Sequence, residues 1–130
     1  MNMHIMEIIQ VYKCLCDVQR LRILNLLQHG PLCVCHLVEI LESDQVKISK
    51  QLRYMKELGM VEGERFAQWM IYSLTDAKHP LLRENLKCLQ DCYAEDTSFA
   101  KDLRQRAALS ERIKAETPGC AEAICDQGCQ

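Results

Sequence analysis

Aromatic side chains are scarce, at 5% of the 130 residues, so a core has to be built from Leu, Ile, Val and Met. No apolar run approaches the roughly 18 residues that a bilayer span needs, so no membrane partner is expected. The opening stretch Met1-Asn2-Met3-His4-Ile5 has no basic region leading into an apolar block. No secretion signal is therefore expected, and the location expected is cytoplasmic. An excess of positive charge is missing as well: the net charge is −2 and the pI about 6.1. Any contact with nucleic acid must come from a local patch. No two cysteines have the Cys-x-x-Cys spacing and the pattern holds no parallel sheet, so a thiol reductase is disfavoured and no enzyme is expected.

What is abundant is cysteine. There are nine: Cys14, Cys16, Cys33, Cys35, Cys88, Cys92, Cys120, Cys125 and Cys129. An odd count, without a secretion signal and in a chain long enough for a core, argues against a disulfide scaffold and for reduced thiols. Single buried cysteines act as small hydrophobes, but these come in close pairs, and paired thiols bind soft metals.

Along the chain, Ile5, Ile8, Ile9 and Tyr12 have the i, i+3, i+4, i+7 spacing of an amphipathic helix. Asp17 is placed to cap a second helix carrying Leu21, Leu24 and Leu27. Gly30-Pro31 stops that helix and can start another, read as a short third helix over residues 32–41. Ser43-Asp44 offers a further cap, and the fourth helix aligns Ile48, Leu52, Met55 and Leu58 until Gly59 ends it. The period then changes: residues 60–66 and 69–74 read as two strands joined by Ala67-Gln68. From Pro80 the spacing of Leu82, Leu86, Leu89 and Tyr93 is helical again. Asp96-Thr97-Ser98 caps a last helix to about residue 115, which Thr117-Pro118-Gly119 breaks. The fold expected is mainly α with a small β-hairpin, a winged helix-turn-helix of order α-α-α-α-β-β-α plus a C-terminal helix. The divisions are 1–96 for DNA binding and dimerisation, 97–116 for the C-terminal helix and 117–130 for a flexible cysteine-rich tail.

The fourth helix carries the case for DNA. Residues 45–55 contain Lys47, Lys50 and Arg53 and no acid. Lys47, Lys50, Gln51 and Tyr54 fall opposite Ile48, Leu52 and Met55. One buried face and one basic, amide-bearing face suit a major groove: Lys contacts phosphate or guanine, Gln pairs with adenine and Ser49 bonds a phosphate. Arg65 in the hairpin can reach a neighbouring phosphate. A solvated surface helix has the same pattern, and Glu57, Glu62 and Glu64 dilute the patch.

Residues 12–27 (YKCLCDVQRLRILNLL), 32–37 (LCVCHL), 45–61 (QVKISKQLRYMKELGMV) and 69–74 (WMIYSL) resemble the ArsR/SmtB family of metal-responsive repressors. The resemblance spans roughly residues 5–95. The Leu-Cys-Val-Cys-x-Leu segment ahead of the recognition helix is similar to the arsenic-sensing branch. The resemblance implies a homodimer formed through the first helix and the helix after the wing, operator binding without ligand, and release of double-stranded operator DNA on binding trivalent arsenic or antimony. Three features depart from the family pattern: Val38 stands where a third cysteine is often found, the recognition helix reads Ser49-Lys50-Gln51, and the wing lacks its usual Gly.

Soft thiolates at Cys33 and Cys35 suit As(III) or Sb(III). On a regular helix, residues i and i+2 point about 200° apart, so two such thiols grip one ion only if the helix unwinds. This predicts a switch in which the ion distorts the third helix and, through it, the recognition helix. Cys88 and Cys92, at i, i+4, share a face and offer either a second site or interface packing. Cys14 and Cys16 read as packing residues, with a third thiolate as their other role. Cys120, Cys125 and Cys129 read as metal capture or an adaptable tail. The helix from Pro80 contains no His; His79 precedes it. A zinc site of the SmtB type is therefore not expected, and His36 reads as a surface residue. Rival readings keep the fold: a thiol-redox repressor closing a disulfide such as Cys35–Cys92, or a sensor of cadmium or lead. A metal-buffering protein leaves the recognition helix without a purpose.

Overall fold

The computed structural model describes residues 3–75, 80–93 and 95–116. His79, Cys120, Cys125, Cys129 and the expected tail lie outside them. The elements are α1 (Met3–Leu15), α2 (Val18–Leu27), β1 (Leu32–Cys33), α3 (Val34–Leu41), α4 (Gln45–Glu57), β2 (Val61–Phe66), β3 (Trp69–Leu74), α5 (Pro80–Tyr93) and α6 (Thr97–Glu116). This is the expected winged helix-turn-helix order with one addition, the strand β1.

Local chemistry sets the boundaries. The Asp17 carboxylate accepts the N–H of Arg20 and starts α2; the Asp44 carboxylate accepts the N–H of Lys47 and starts α4. Asp96 does the same for Ser98 at the head of α6. The turn between α3 and α4 passes through Glu42 in the left-handed region, at φ 52°, and α4 gives way at Gly59, at φ 80°. The hairpin closes on Ala67-Gln68 with Ala67 at φ 54°, so the tight turn forms without the usual Gly or Asn.

Aliphatic side chains fill the centre. Ile23, Leu24 and Leu26 of α2, Leu37 of α3, and Ile48, Leu52 and Met55 of α4 have no exposed surface, and Met60 closes the cluster beneath the wing. The sheet has the order β1-β3-β2, all antiparallel. Leu32 faces Tyr72 and Cys33 faces Ile71, so the segment ahead of α3 is tied to the wing. Two residues are too few to show an alternating pattern, and residues 32–33 were read as helix; the strand exists because β3 offers it an edge.

Two further features concern α1 and α6. The stripe Ile5, Ile8, Ile9 and Tyr12 is exposed, and Val11 and Cys14 are the α1 residues that pack inward. The C-terminal helix α6 packs on α2 and α3, with Leu109 and Ile113 buried. Asp102, 1% exposed, takes two hydrogen bonds from Arg22 at 2.8 and 2.9 Å. Arg106 donates to the carbonyls of Leu26, His29 and Gly30, the negative end of α2. Arg112 pairs with both carboxylate oxygens of Glu39 on α3. Among the described residues no helix is long and apolar enough to cross a membrane.

Removing one side of the buried pair strands a charge. Arg22→Ala is expected to lower unfolding stability by about 3 kcal/mol, measured by urea denaturation. The double replacement Arg22→Met/Asp102→Leu should recover most of the loss.

Candidate thiol centre and nucleic-acid interface

The thiol centre begins where α2 ends. Gly30, at φ 123°, and Pro31, which has no N–H, turn the chain out of the helix. Leu32 and Cys33 then run extended against β3, both buried. Cys33 has φ −70° and ψ 147° and is the N-cap residue of α3. Its thiol, unlike a Ser or Asp cap, makes no side-chain capping bond of the usual kind. Cys35 follows in the first turn of α3 and is exposed.

The two sulfurs therefore meet. Cys35 Sγ lies 2.9 Å from Cys33 Sγ, with Cys35 the donor. The expected 200° divergence does not arise, because Cys33 stands outside the helix. No unwinding is needed to bring the thiols together. That hydrogen bond is the main reason the pKa of the Cys33 thiol is lowered to about 6, helped by the nearby backbone N–H groups of Cys35, Met70 and His36 and opposed by burial. A sulfur at a helix N-terminus is the common setting for a stable thiolate.

His36 completes the group. One ligand atom from each of Cys33, Cys35 and His36 lies within 4.8 Å of the others, and these are the only three such residues gathered this way among the described residues. His36 is half-buried rather than a surface residue. Burial, with Arg112 and Arg106 nearby, lowers its basicity against the opposing pull of Glu39, which favours the neutral ring. Its position in the sequence, next to Cys35, was the only available signal.

The other described cysteines stand apart from this group. Cys14 is fully buried, and burial pushes its thiol up to about 11 despite Arg20. Cys16 is exposed at the α1–α2 junction. Cys88 and Cys92 lie exposed on α5 with sulfurs 3.9 Å apart, the shared face that their spacing predicts. The hydrogen bond with Cys88 raises the Cys92 thiol.

On α4 the predicted residues divide. Lys47, Lys50 and Arg53 are exposed and Ser49 is half-buried. Ser49, Lys50 and Arg53 line a shallow surface depression with Gln45 and Val46, two residues the sequence reading passed over. Gln51 and Tyr54 turn the other way. Gln51 accepts from Arg20 at 3.0 Å and donates to Asp17 at 3.2 Å, and the Tyr54 ring lies under the Arg20 guanidinium, 4.7 Å from its centroid. Arg20 also donates to the carbonyls of Lys13 and Cys14 at the end of α1. These contacts tie Gln51 and Tyr54, both half-buried, to the start of α2. Arg65 is exposed on β2.

Because the folded thiol of Cys33 is more acidic than an ordinary thiol, it adds stability as pH rises from about 6 towards 9, and the contribution is lost as pH falls through 6. A thiolate absorbance titration of the reduced protein should show one step near pH 6. The step should vanish in Cys33→Ser and move upward in Cys35→Ser, which removes the donor.

The family described as "Bacterial regulatory protein, arsR family" matches residues 17–63. The arsenic resistance transcriptional regulator ArsR1 of Pseudomonas putida is 41% identical over 113 residues, 84% of this chain and 87% of that protein. HlyU from Vibrio cholerae N16961 shares the fold with a TM-score of 0.65 at 24% identity, over 72% of this chain and 99% of HlyU. The homodimeric winged helix-turn-helix DNA-binding domain of a possible ArsR-family transcriptional regulator from Mycobacterium bovis gives 0.59 at 22% identity, over 72% of this chain and 83% of that one. With the helix-turn-helix, the wing and these relatives in place, the chain belongs to the ArsR family and is a winged helix-turn-helix transcriptional repressor, not an enzyme.

Proposed function

We propose that this repressor leaves its operator when trivalent arsenic or antimony is bound by Cys33 and Cys35. The observation that carries the reading is the 2.9 Å approach of the two sulfurs at the start of α3, the helix directly ahead of α4. The name of the Pseudomonas relative supports the choice of ion, as does the affinity of soft centres for thiolates.

The coupling runs through Cys33. Arsenite held between the sulfurs must spread them from hydrogen-bonding distance: two As–S bonds form as two hydroxides leave the arsenic, one of them carrying off as water the proton that the sulfurs shared. Cys33 belongs at once to β1, paired with Ile71 of the wing strand, and to the cap of α3. Its displacement strains the wing and the helix-turn-helix together. Moving a population from 1:99 to 99:1 needs about 5.5 kcal/mol of preference for the released state, a difference that two metalloid–thiolate bonds can supply.

The DNA face in this reading is Gln45, Ser49, Lys50 and Arg53 with Lys47 at its edge, and Arg65 on the wing reaches a flanking phosphate. Two copies give two such faces. The uncovered apolar stripe Ile5, Ile8, Ile9 and Tyr12 on α1, with exposed Tyr93 on α5, supports a homodimer through those helices. The location proposed is the cytoplasm, where thiols stay reduced.

Fluorescence anisotropy on the chain's own upstream DNA tests the reading. Cys33→Ser and Cys35→Ser should bind the DNA as the unaltered protein does and keep hold of it in arsenite. Normal release by both variants removes the pair from the mechanism. On the same DNA, Arg53→Ala should weaken binding and lower the slope of log affinity against log salt by about 1; an unchanged slope would place Arg53 away from the phosphates.

A further inference from the structure

We propose that His36 joins Cys33 and Cys35 as a third donor when the site takes a divalent thiophilic cation such as cadmium or zinc, for which a mixed set of two sulfurs and one nitrogen is suited. The inference rests on the reading of Cys33 and Cys35 as ion ligands and adds the imidazole to it.

The geometry comes first. The three side chains are already gathered, with one ligand atom of each within 4.8 Å of the others. Zinc–sulfur bonds of about 2.3 Å at a tetrahedral angle separate two sulfurs by about 3.8 Å. The Cys33–Cys35 pair, at 2.9 Å, needs to open by less than about 1 Å to reach that span. The backbone favours such a site. Cys33 is fixed by its pairing to β3, and Cys35 and His36 are held in the first turn of α3. Three consecutive ligand-bearing positions separated by one valine cannot converge on a regular helix, but they converge here because Cys33 precedes it.

Donor chemistry sets the choice of ion. Trivalent arsenic and antimony are satisfied by soft sulfur, and two thiolates hold them without the ring. Zinc and cadmium take imidazole nitrogen as readily as thiolate. Two thiolates and one neutral imidazole leave a divalent ion with no net charge, which suits a half-buried position. No third cysteine is gathered with the pair among the described residues: Cys14 is sealed in the core, Cys16 is at the α1–α2 junction, and Cys88 and Cys92 are on α5. Val38, one turn into α3, offers no donor. The packing of α6 steadies the site from outside, since Arg112 holds Glu39, one turn beyond His36.

The test uses the full reduced chain carrying Ser at Cys16, Cys88, Cys92, Cys120, Cys125 and Cys129, so that one site is read. Cadmium is titrated against a competing chelator, the sulfur-to-cadmium charge-transfer absorbance counts thiolates, and nitrogen NMR follows the His36 ring. The expected result is two thiolates per ion and a shifted ring resonance. His36→Ala should bind cadmium at least about tenfold more weakly with the same absorbance per ion bound, and should still release DNA in arsenite. Should His36→Ala fold poorly, His36→Cys provides the second reading: it should keep the affinity and raise the absorbance per ion by about half, as two thiolates become three. An unmoved ring resonance with equal cadmium affinity in His36→Ala overturns the inference while leaving the arsenite reading intact. Cadmium binding and arsenite release that survive Cys33→Ser and Cys35→Ser overturn both.

Discussion

Cys33 serves three elements at once. Its backbone closes β1 against Ile71 in the wing strand, its extended dihedrals provide the entry to α3, and its sulfur faces the N–H groups of Cys35, His36 and Met70. None of these roles is available to a residue inside a helix. The Gly30-Pro31 exit from α2 makes them possible, because it delivers the chain to the edge of β3 before α3 starts. The acidity of the thiol, the approach of Cys35 and the presence of His36 all follow from that extended residue.

A second constraint keeps the helix-turn-helix at a defined angle. Arg20 reaches from α2 to the end of α1 and to Gln51 and Tyr54 on α4, while Gln19 bonds Ser43 in the turn. On the far side, α6 grips α2 through Arg22–Asp102 and Arg106, and α3 through Arg112–Glu39. The helix that would read DNA is thus fastened on one flank to the α1–α2 junction. The helix that bears the thiols is fastened on the other to α6.

The helices were legible because their ends are written in nearby residues. Asp17, Asp44 and Asp96 each cap within three positions, and Gly59 and the Ala67-Gln68 turn stop elements without help from afar. The basic character of α4 and the closeness of Cys33 to Cys35 were equally plain, being matters of composition and spacing. Those features suffice for the order of elements and for naming the pair of thiols.

Only the assembled structure could decide the rest, since it depends on partners distant in the chain. A two-residue strand has no periodicity and exists only when β3 lies beside it, so the conformation of Cys33 could not be read locally. The contacts that Gln51 and Tyr54 make with Arg20 and Asp17, more than thirty positions away, have no sign in the helical phase of α4. The α1 stripe has a core-like period but faces outward, because one helix can be apolar on two sides and a single chain covers only one. A lone imidazole beside a cysteine has no distinguishing pattern, so the half-burial of His36 and its gathering with Cys33 and Cys35 show only once the extended Cys33 stands beside the first turn of α3. Spacing along a chain reports what neighbours can do, whereas burial and convergence depend on which distant segment arrives.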